Sequence, residues 1–285
     1  MRLFLLTLLN GLTLAGLYFL LASGFSLIFG LLRYVNMAHG SLLLLAGYVG
    51  YLTQERTGGL LLPLLGGMGV AAGLGALLER FVFKPLTGDD MRQTLLTIAL
   101  SVIMADQMLA WFGPEPYQIG LPEALQGSVT LPWVQRYPLV RLVVLCAAVV
   151  CGLALWLVIR KTRLGILIRA GVDDEPMLRS MGIAVDRLFV FVFALGAGLA
   201  GLSGVLSGML FALSPGEDVR YLLGSLMVVV VGGIGSVAGT AAGAVFIGVA
   251  EQLGVVYSPT YGPIYMFLVM GLVLAFRPMG LFGRG

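Results

Sequence analysis

The chain has one histidine, His39, in the segment FGLLRYVNMAHGSLLLLAG with Arg33 and Asn36. Asn36 and His39 are three residues apart. In a helix they would share a face and could bond a neighbouring helix or a passing solute. Two carboxylates stand inside apolar runs: Asp106 in LTIALSVIMADQMLAWF and Glu251 in GAVFIGVAEQLGVVY. An ionisable group at membrane depth is expensive and is a functional candidate by default. Asp106 comes late in its run, where a carboxylate can reach an interface. Glu251 is deeper and can cap a helix, pair with a neighbour or face a pore.

Other chemistry is missing. The sequence holds no GxxxxGK[ST] loop, no Ser-His-Asp set and no nucleophile elbow. One histidine cannot build a His-rich metal site, and Cys146 and Cys151 show no zinc spacing. Their i, i+5 separation puts them on different faces of a helix, which argues against a disulfide. The segment GGIGSVAG is not a phosphate cradle, since no lysine follows and no strand precedes it. No cofactor and no enzymatic activity are expected. Work done against a gradient would draw on another ion gradient or on a partner ATPase.

These residues sit in an apolar background. Of 285 residues, 59% are hydrophobic and 11% charged, against about 25% charged in a soluble protein. Mean hydropathy is +1.01. So few charges cannot cover a soluble fold, and no basic face for nucleic acid is evident. Residues 3–32 are too long for a cleaved leader and are followed by more apolar sequence, so they read as retained. The fold class is an all-α membrane protein: one polytopic helical bundle over 1–285, with about eight spanning helices plus broken or half-helices. Candidate spans fall near 11–32, 40–53, 60–83, 94–112, 138–160, 187–212, 221–235, 240–257 and 263–276. Residues 3–32 are one long helix or a span followed by a half-helix. The spans 40–53 and 221–235 are short and border glycine-rich breaks, the pattern of discontinuous helices beside a permeation path. The glycines of 196–208 suit close helix packing.

Positive charges set the sidedness. Segments 79–92 and 160–187 and the tail, with Arg277 and Arg284, carry the basic residues and read as cytoplasmic. Residues 113–137, with Trp133, and 213–220 read as external. Within 160–187, Asp173, Asp174 and Glu175 precede Pro176, a helix-start pattern. Met177, Leu178, Met181 and Ile183 then form a short apolar face, and Gly182 ends the helix. Such a helix lies at a lipid interface or in a partner's groove; the paired acids favour the groove.

The stretch NGLTLAGLYFLLASGFSLIFGLLRYVNMAHGSLLLLAGY (10–48) resembles the N-terminus of branched-chain amino acid ABC transporter permeases of the LivH type. LGILIRAGVDDEPMLRSMGI (164–183) resembles that family's cytoplasmic coupling loop. VVVVGGIGSVAGTAAGAVFIGVAEQL (228–253) and FRPMGLFG (276–283) are also similar. Met37 stands where members carry phenylalanine or another large residue, and Pro176 and Arg179 are unusual in the coupling segment.

The resemblance implies a permease of the bacterial inner membrane, with its C-terminus cytoplasmic. It implies a second related permease, two cytoplasmic ATPases, an external solute-binding protein and an amino-acid substrate as partners, besides membrane lipid. The coupling residues it implies are Gly165, Arg169, Ala170, Asp174, Glu175, Met181 and Gly182. We place the substrate path near Asn36, His39, Gly40, Gly233, Gly235 and Glu251. The competing reading is an autonomous ion-coupled carrier or channel using Asp106 and Glu251.

Overall fold

The computed structural model describes residues 2–131 and 134–283, so Trp133 and Arg284 fall outside it. Helix α1 (Arg2–Leu32) runs unbroken for 31 residues. Its internal glycines and serines do not interrupt it, because in hydrocarbon a backbone N–H has no partner but its own helix. The N-terminal alternative therefore resolves to one long helix.

Among the described residues, six helices are long and apolar enough to cross a membrane: α1, α3 (Leu61–Leu78) with its continuation to Leu86, α4 (Asp90–Phe112), α5 (Leu139–Lys161), α8 (Val185–Leu210) and α10 (Val237–Tyr257). The expected count of about eight spans is thus six full-length helices plus shorter ones. Helix α2 (His39–Thr57) ends in the polar run QERT. Helices α9 (Glu217–Gly232) and α11 (Gly262–Phe276) have 16 and 15 residues. At 1.5 Å per residue these rise roughly 23 Å, short of a hydrocarbon core about 30 Å thick. Of the two short spans expected, 221–235 corresponds to α9, whereas 40–53 lies within α2, which at 19 residues is longer than expected because its helix continues through the polar run.

Helix α1 is the axis of the bundle, buried without a gap from Ala15 to Ile28. Helix α8 packs along it, and glycines set their separation. A Cβ on Gly24 would run into the Gly196 carbonyl, and one on Gly196 into the Gly24 carbonyl. Further along α8, Gly204 lies against the Leu43 carbonyl of α2. Helices α3, α4, α5 and α11 form the rim. Leu62, Leu65, Val102, Ile103, Val149, Val150, Leu153 and Leu272 all point outward from it, as a lipid surround requires and water would penalise. Both cysteines lie on α5 and are free.

The two ends of the bundle differ. At one end meet the C-terminus of α1, the link before α4, helices α6 (Arg163–Asp173) and α7 (Glu175–Ser180), and the C-terminal tail. Arg33 bonds the Val172 carbonyl there, and the tail pairs with α9 through Leu281 N–H to Val231 O. At the other end, strands β1 (Ser128–Leu131) and β2 (Val134–Pro138) form an antiparallel hairpin that run lengths alone do not reveal. Tyr137 pins it to the start of α1, its hydroxyl 2.8 Å from Thr13 Oγ1 and donating to the Leu9 carbonyl at 2.9 Å. The start of α1 therefore shares an end with 113–137.

Candidate functional site

Helix α1 stops at Arg33, which has φ +61° and is the one non-glycine residue with positive φ among those described. That conformation costs roughly 1 kcal/mol for a residue with a Cβ. It is stabilised by the Arg33 N–H to Phe29 O bond and by the guanidinium donating to Val172 O at 2.8 Å. The connector to α2 is not helical, so Asn36 and His39 do not share a helix face as the spacing alone allows. Instead Asn36 Oδ1 accepts from Ala38 N–H at 3.1 Å and turns the chain into α2.

His39 opens α2 with its Nε2 3.1 Å from the Leu21 carbonyl oxygen and its ring edge-on to Phe25. A carbonyl only accepts, so Nε2 carries a proton and donates it. Both residues are fully buried, and neither His39 Nδ1 nor Asn36 Nδ2 has a protein partner. Two buried nitrogens beside the break thus have no protein partner.

Helices α2 and α9 abut at their starts. A Cβ on Gly40 would overlap the Asp218 carbonyl, and Ser41 Oγ donates to Asp218 Oδ2 at 2.7 Å. The second break follows α9. Gly233 and Gly235 have φ of +98° and +75°, a region that favours glycine. Gly235 N–H donates to Ser26 Oγ at 3.1 Å, and Gly233 lies against the backbone of Phe282 and Gly283. Ser236 then caps α10, accepting from Gly239 N–H. A cavity of about 340 Å³ lies between Phe29, Gly30, Arg33, Val172, Ile234 and Gly235.

Glu251 is buried and fully engaged on the protein side. Tyr18 donates to its Oε2 at 2.6 Å, and Arg220 Nη2 lies 3.2 Å from its Oε1. Of the three uses open to it, pairing with neighbouring helices is the one observed. Asp106 is exposed on the rim helix α4. The expected path residues thus do not form one cluster. They are strung along α1, opposite Tyr18, Leu21 and Ser26, spanning about 12 Å at 1.5 Å per residue. Tyr18, Ser41, Asp218 and Arg220 were not singled out from the sequence. Arg220 and Asp218, charged residues heading an apolar run, carried a signal; Tyr18 carried none.

Glu251→Gln removes the buried one of Arg220's two carboxylate partners and leaves Glu217 at 3.4 Å. The Arg220 side chain is 61% exposed, so it can recover water, and the expected loss is about 1–2 kcal/mol rather than that of a fully buried pair. Thermal unfolding in detergent measures this, and an unchanged midpoint would rule out the pair as a stabilising contact.

The segment 160–187 holds two helices, not one. Thr162 caps α6, accepting from the N–H of Gly165, whose Cβ position is filled by the Ile159 carbonyl. Arg169 donates to the same Ile159 carbonyl. Ala170 is half-buried, and its carbonyl receives Asp174 N–H at 2.8 Å. Asp174 closes α6 and caps α7, accepting from Met177 N–H at 3.0 Å. Glu175 grips Arg179 at 2.8 Å, and Gly182, at φ +77°, ends the turn. The apolar face expected here divides, because α7 has only six residues. Leu178 is buried, whereas Met177 and Met181 are 57% and 66% exposed. A cavity of about 460 Å³ separates this elbow from Arg33, Asp90 and Phe189.

A membrane bundle with interrupted helices around a buried axis, and a capped helical elbow projecting from one end, has the architecture of a transport permease. A model of the family described as "Branched-chain amino acid transport system / permease component" matches residues 7–277, and the chain belongs to that family. It is 30% identical to the high-affinity branched-chain amino acid transport system permease protein BraD of Pseudomonas aeruginosa, over 97% of this chain and 95% of that one. It is 28% identical to the corresponding LivH protein of Escherichia coli K12, over 99% and 96%. Its fold is similar to a chain of PsaBC from Streptococcus pneumoniae in complex with Fab, with a TM-score of 0.50, 14% identity, and 94% and 89% of the two chains covered. At that identity the likeness is one of fold alone. The chain is a multi-pass membrane protein and a permease.

Proposed function

We propose that this permease is one of two related membrane subunits of an ATP-driven importer for branched-chain or similar small amino acids. The whole chain forms a single permease domain. Two cytoplasmic ATPases grip it, and an external solute-binding protein delivers the substrate. The elbow end, with the C-terminal tail, faces the cytoplasm and the hairpin end faces outside. This follows from the basic residues of 79–92 and 160–187, which lie at the elbow end.

The observation that carries the reading is the elbow itself. It is capped at both joints and presents Met177 and Met181 outward beside Asp174 and Glu175, a surface suited to a protein groove. Gly165, Arg169, Ala170, Asp174, Glu175, Met181 and Gly182 shape or present that surface. Substrate passes between the paired permeases; Asn36, His39 and Gly40, buried within this chain, and the glycines 233 and 235 set the helix breaks behind that path. Glu251 fixes the wall of that path through Tyr18 and Arg220 rather than meeting an ion alone.

Vesicles holding the permease pair, its ATPases and its binding protein are expected to accumulate labelled leucine only when ATP is supplied on the elbow side. Accumulation by the isolated chain under a proton or sodium gradient, without ATP, would refute the importer and favour an ion-coupled carrier.

A further inference from the structure

Helix α7 is held to the bundle by little apolar contact. Leu178 is its one buried side chain; charges supply the rest. Glu175 pairs with Arg179 at 2.8 Å, Arg179 with Asp186 at 3.0 Å, and Asp186 with Lys84 at 2.9 Å. The four groups alternate in sign and connect three elements. Glu175 and Arg179 belong to α7, Asp186 to the first turn of α8, and Lys84 to the end of the α3 extension. Each also suits its helix dipole, with acids in first turns and Arg179 in a last turn.

The other half of the elbow is fastened elsewhere. Arg169 holds α6 to the end of α5, and Arg33 ties the last turn of α6 to the end of α1. The joint between the halves is Asp174, in extended conformation at φ −152° and ψ 92°. Lys84 directly follows a π-helical turn, Glu79–Phe83. Such a turn accommodates one extra residue and marks a place where helix register can change. Glu79, in that turn, is buried and accepts from the Tyr34 hydroxyl at 3.2 Å. Tyr34 lies in the connector that carries Asn36.

We infer that Asp186, with Arg179 and Lys84, is a positioning residue for energy coupling: it fixes α7 to the α3–α8 pair, so that a displacement of α7 moves those helices and the π turn while α6 remains with α1 and α5. None of the three touches substrate. The inference rests on the importer reading above. Isolated exposed pairs are weak, but here little competing packing exists to set the position of α7.

The test uses the assembled importer in vesicles, with uptake and ATP hydrolysis measured together. Asp186→Asn and Lys84→Gln each lower uptake per ATP hydrolysed by about fivefold at low salt. Asp186→Glu restores most of it. The gap between wild type and variants closes near 1 M salt, where a Debye length of about 3 Å silences the pairs in the wild type too; a packing defect would persist. If wild-type vesicles show no ATP-driven uptake, the importer reading falls. If they do, and Asp186→Asn and Lys84→Gln keep the wild-type ratio, the positioning role is overturned. Should Asp186→Asn fail to insert, Lys84→Gln, whose side chain is 51% exposed, decides alone.

Discussion

Replacing both Asp174 and Glu175 by lysine leaves the bundle inserted but cuts amino-acid uptake tenfold or more, while ATP hydrolysis continues. Asp174 Oδ1 receives the Met177 N–H and starts α7; loss of such a cap costs about 1 kcal/mol. Lysine there also sets positive charge against the positive end of the helix dipole, adding up to about 1 kcal/mol. At position 175 it replaces one of Arg179's two carboxylate partners with a like charge. A helix of six residues with one buried side chain has no reserve against these losses and unwinds. No transmembrane contact is touched, so insertion survives. The measurement is uptake against ATP hydrolysis in the reconstituted assembly. Normal uptake by a properly inserted double variant would reduce the elbow to a surface ornament.

Gly24→Val is expected to destabilise the bundle by about 3 kcal/mol or more. Its Cβ would meet the Gly196 carbonyl and Cα, and the contact is reciprocal. The obstacle is backbone, so neither helix can give by rotating a side chain, and overpacking of this kind lies at the costly end of its range. The crossing joins α1 and α8, the two most buried spans, and their separation would propagate to everything stacked on α1. The control is Gly69→Ala on α3, where a Cβ meets nothing within 4 Å. That change should be neutral or stabilising by about 0.5 kcal/mol, since alanine is the better helix former. Thermal unfolding of purified variants separates the two. Equal midpoints would show that the glycine crossing does not hold the helices together.

The long rim helices and α8 and α10 were readable as apolar runs because a bilayer imposes a minimum length on whatever crosses it. The elbow's start at Asp174, Glu175 and Pro176 was readable because capping is local chemistry. Helix α6 was not. It turns Leu164 and Ile166 outward and Ile168 inward, a pattern whose meaning depends on what lies beneath it. The site was legible in its residue types but not its pairings. Glu251 stands out in its run, yet its partner Tyr18 is separated from it by 233 positions, and no local rule selects one buried tyrosine among many. The expected common face for Asn36 and His39 failed for a related reason: the spacing was right, but the chain there is a turn.

Tyr117 and Leu213 exchange both backbone bonds, at 2.9 and 2.6 Å, and Ile119 N–H reaches the Gly208 carbonyl. The Tyr117 ring is wedged among Tyr48, Tyr51 and Phe112. This splice joins the hairpin end of the bundle to the lead into α9, and so to Asp218 and Arg220. A displacement of residues 117–119 is therefore passed through hydrogen-bonded backbone to the head of α9 instead of being lost in a slack loop.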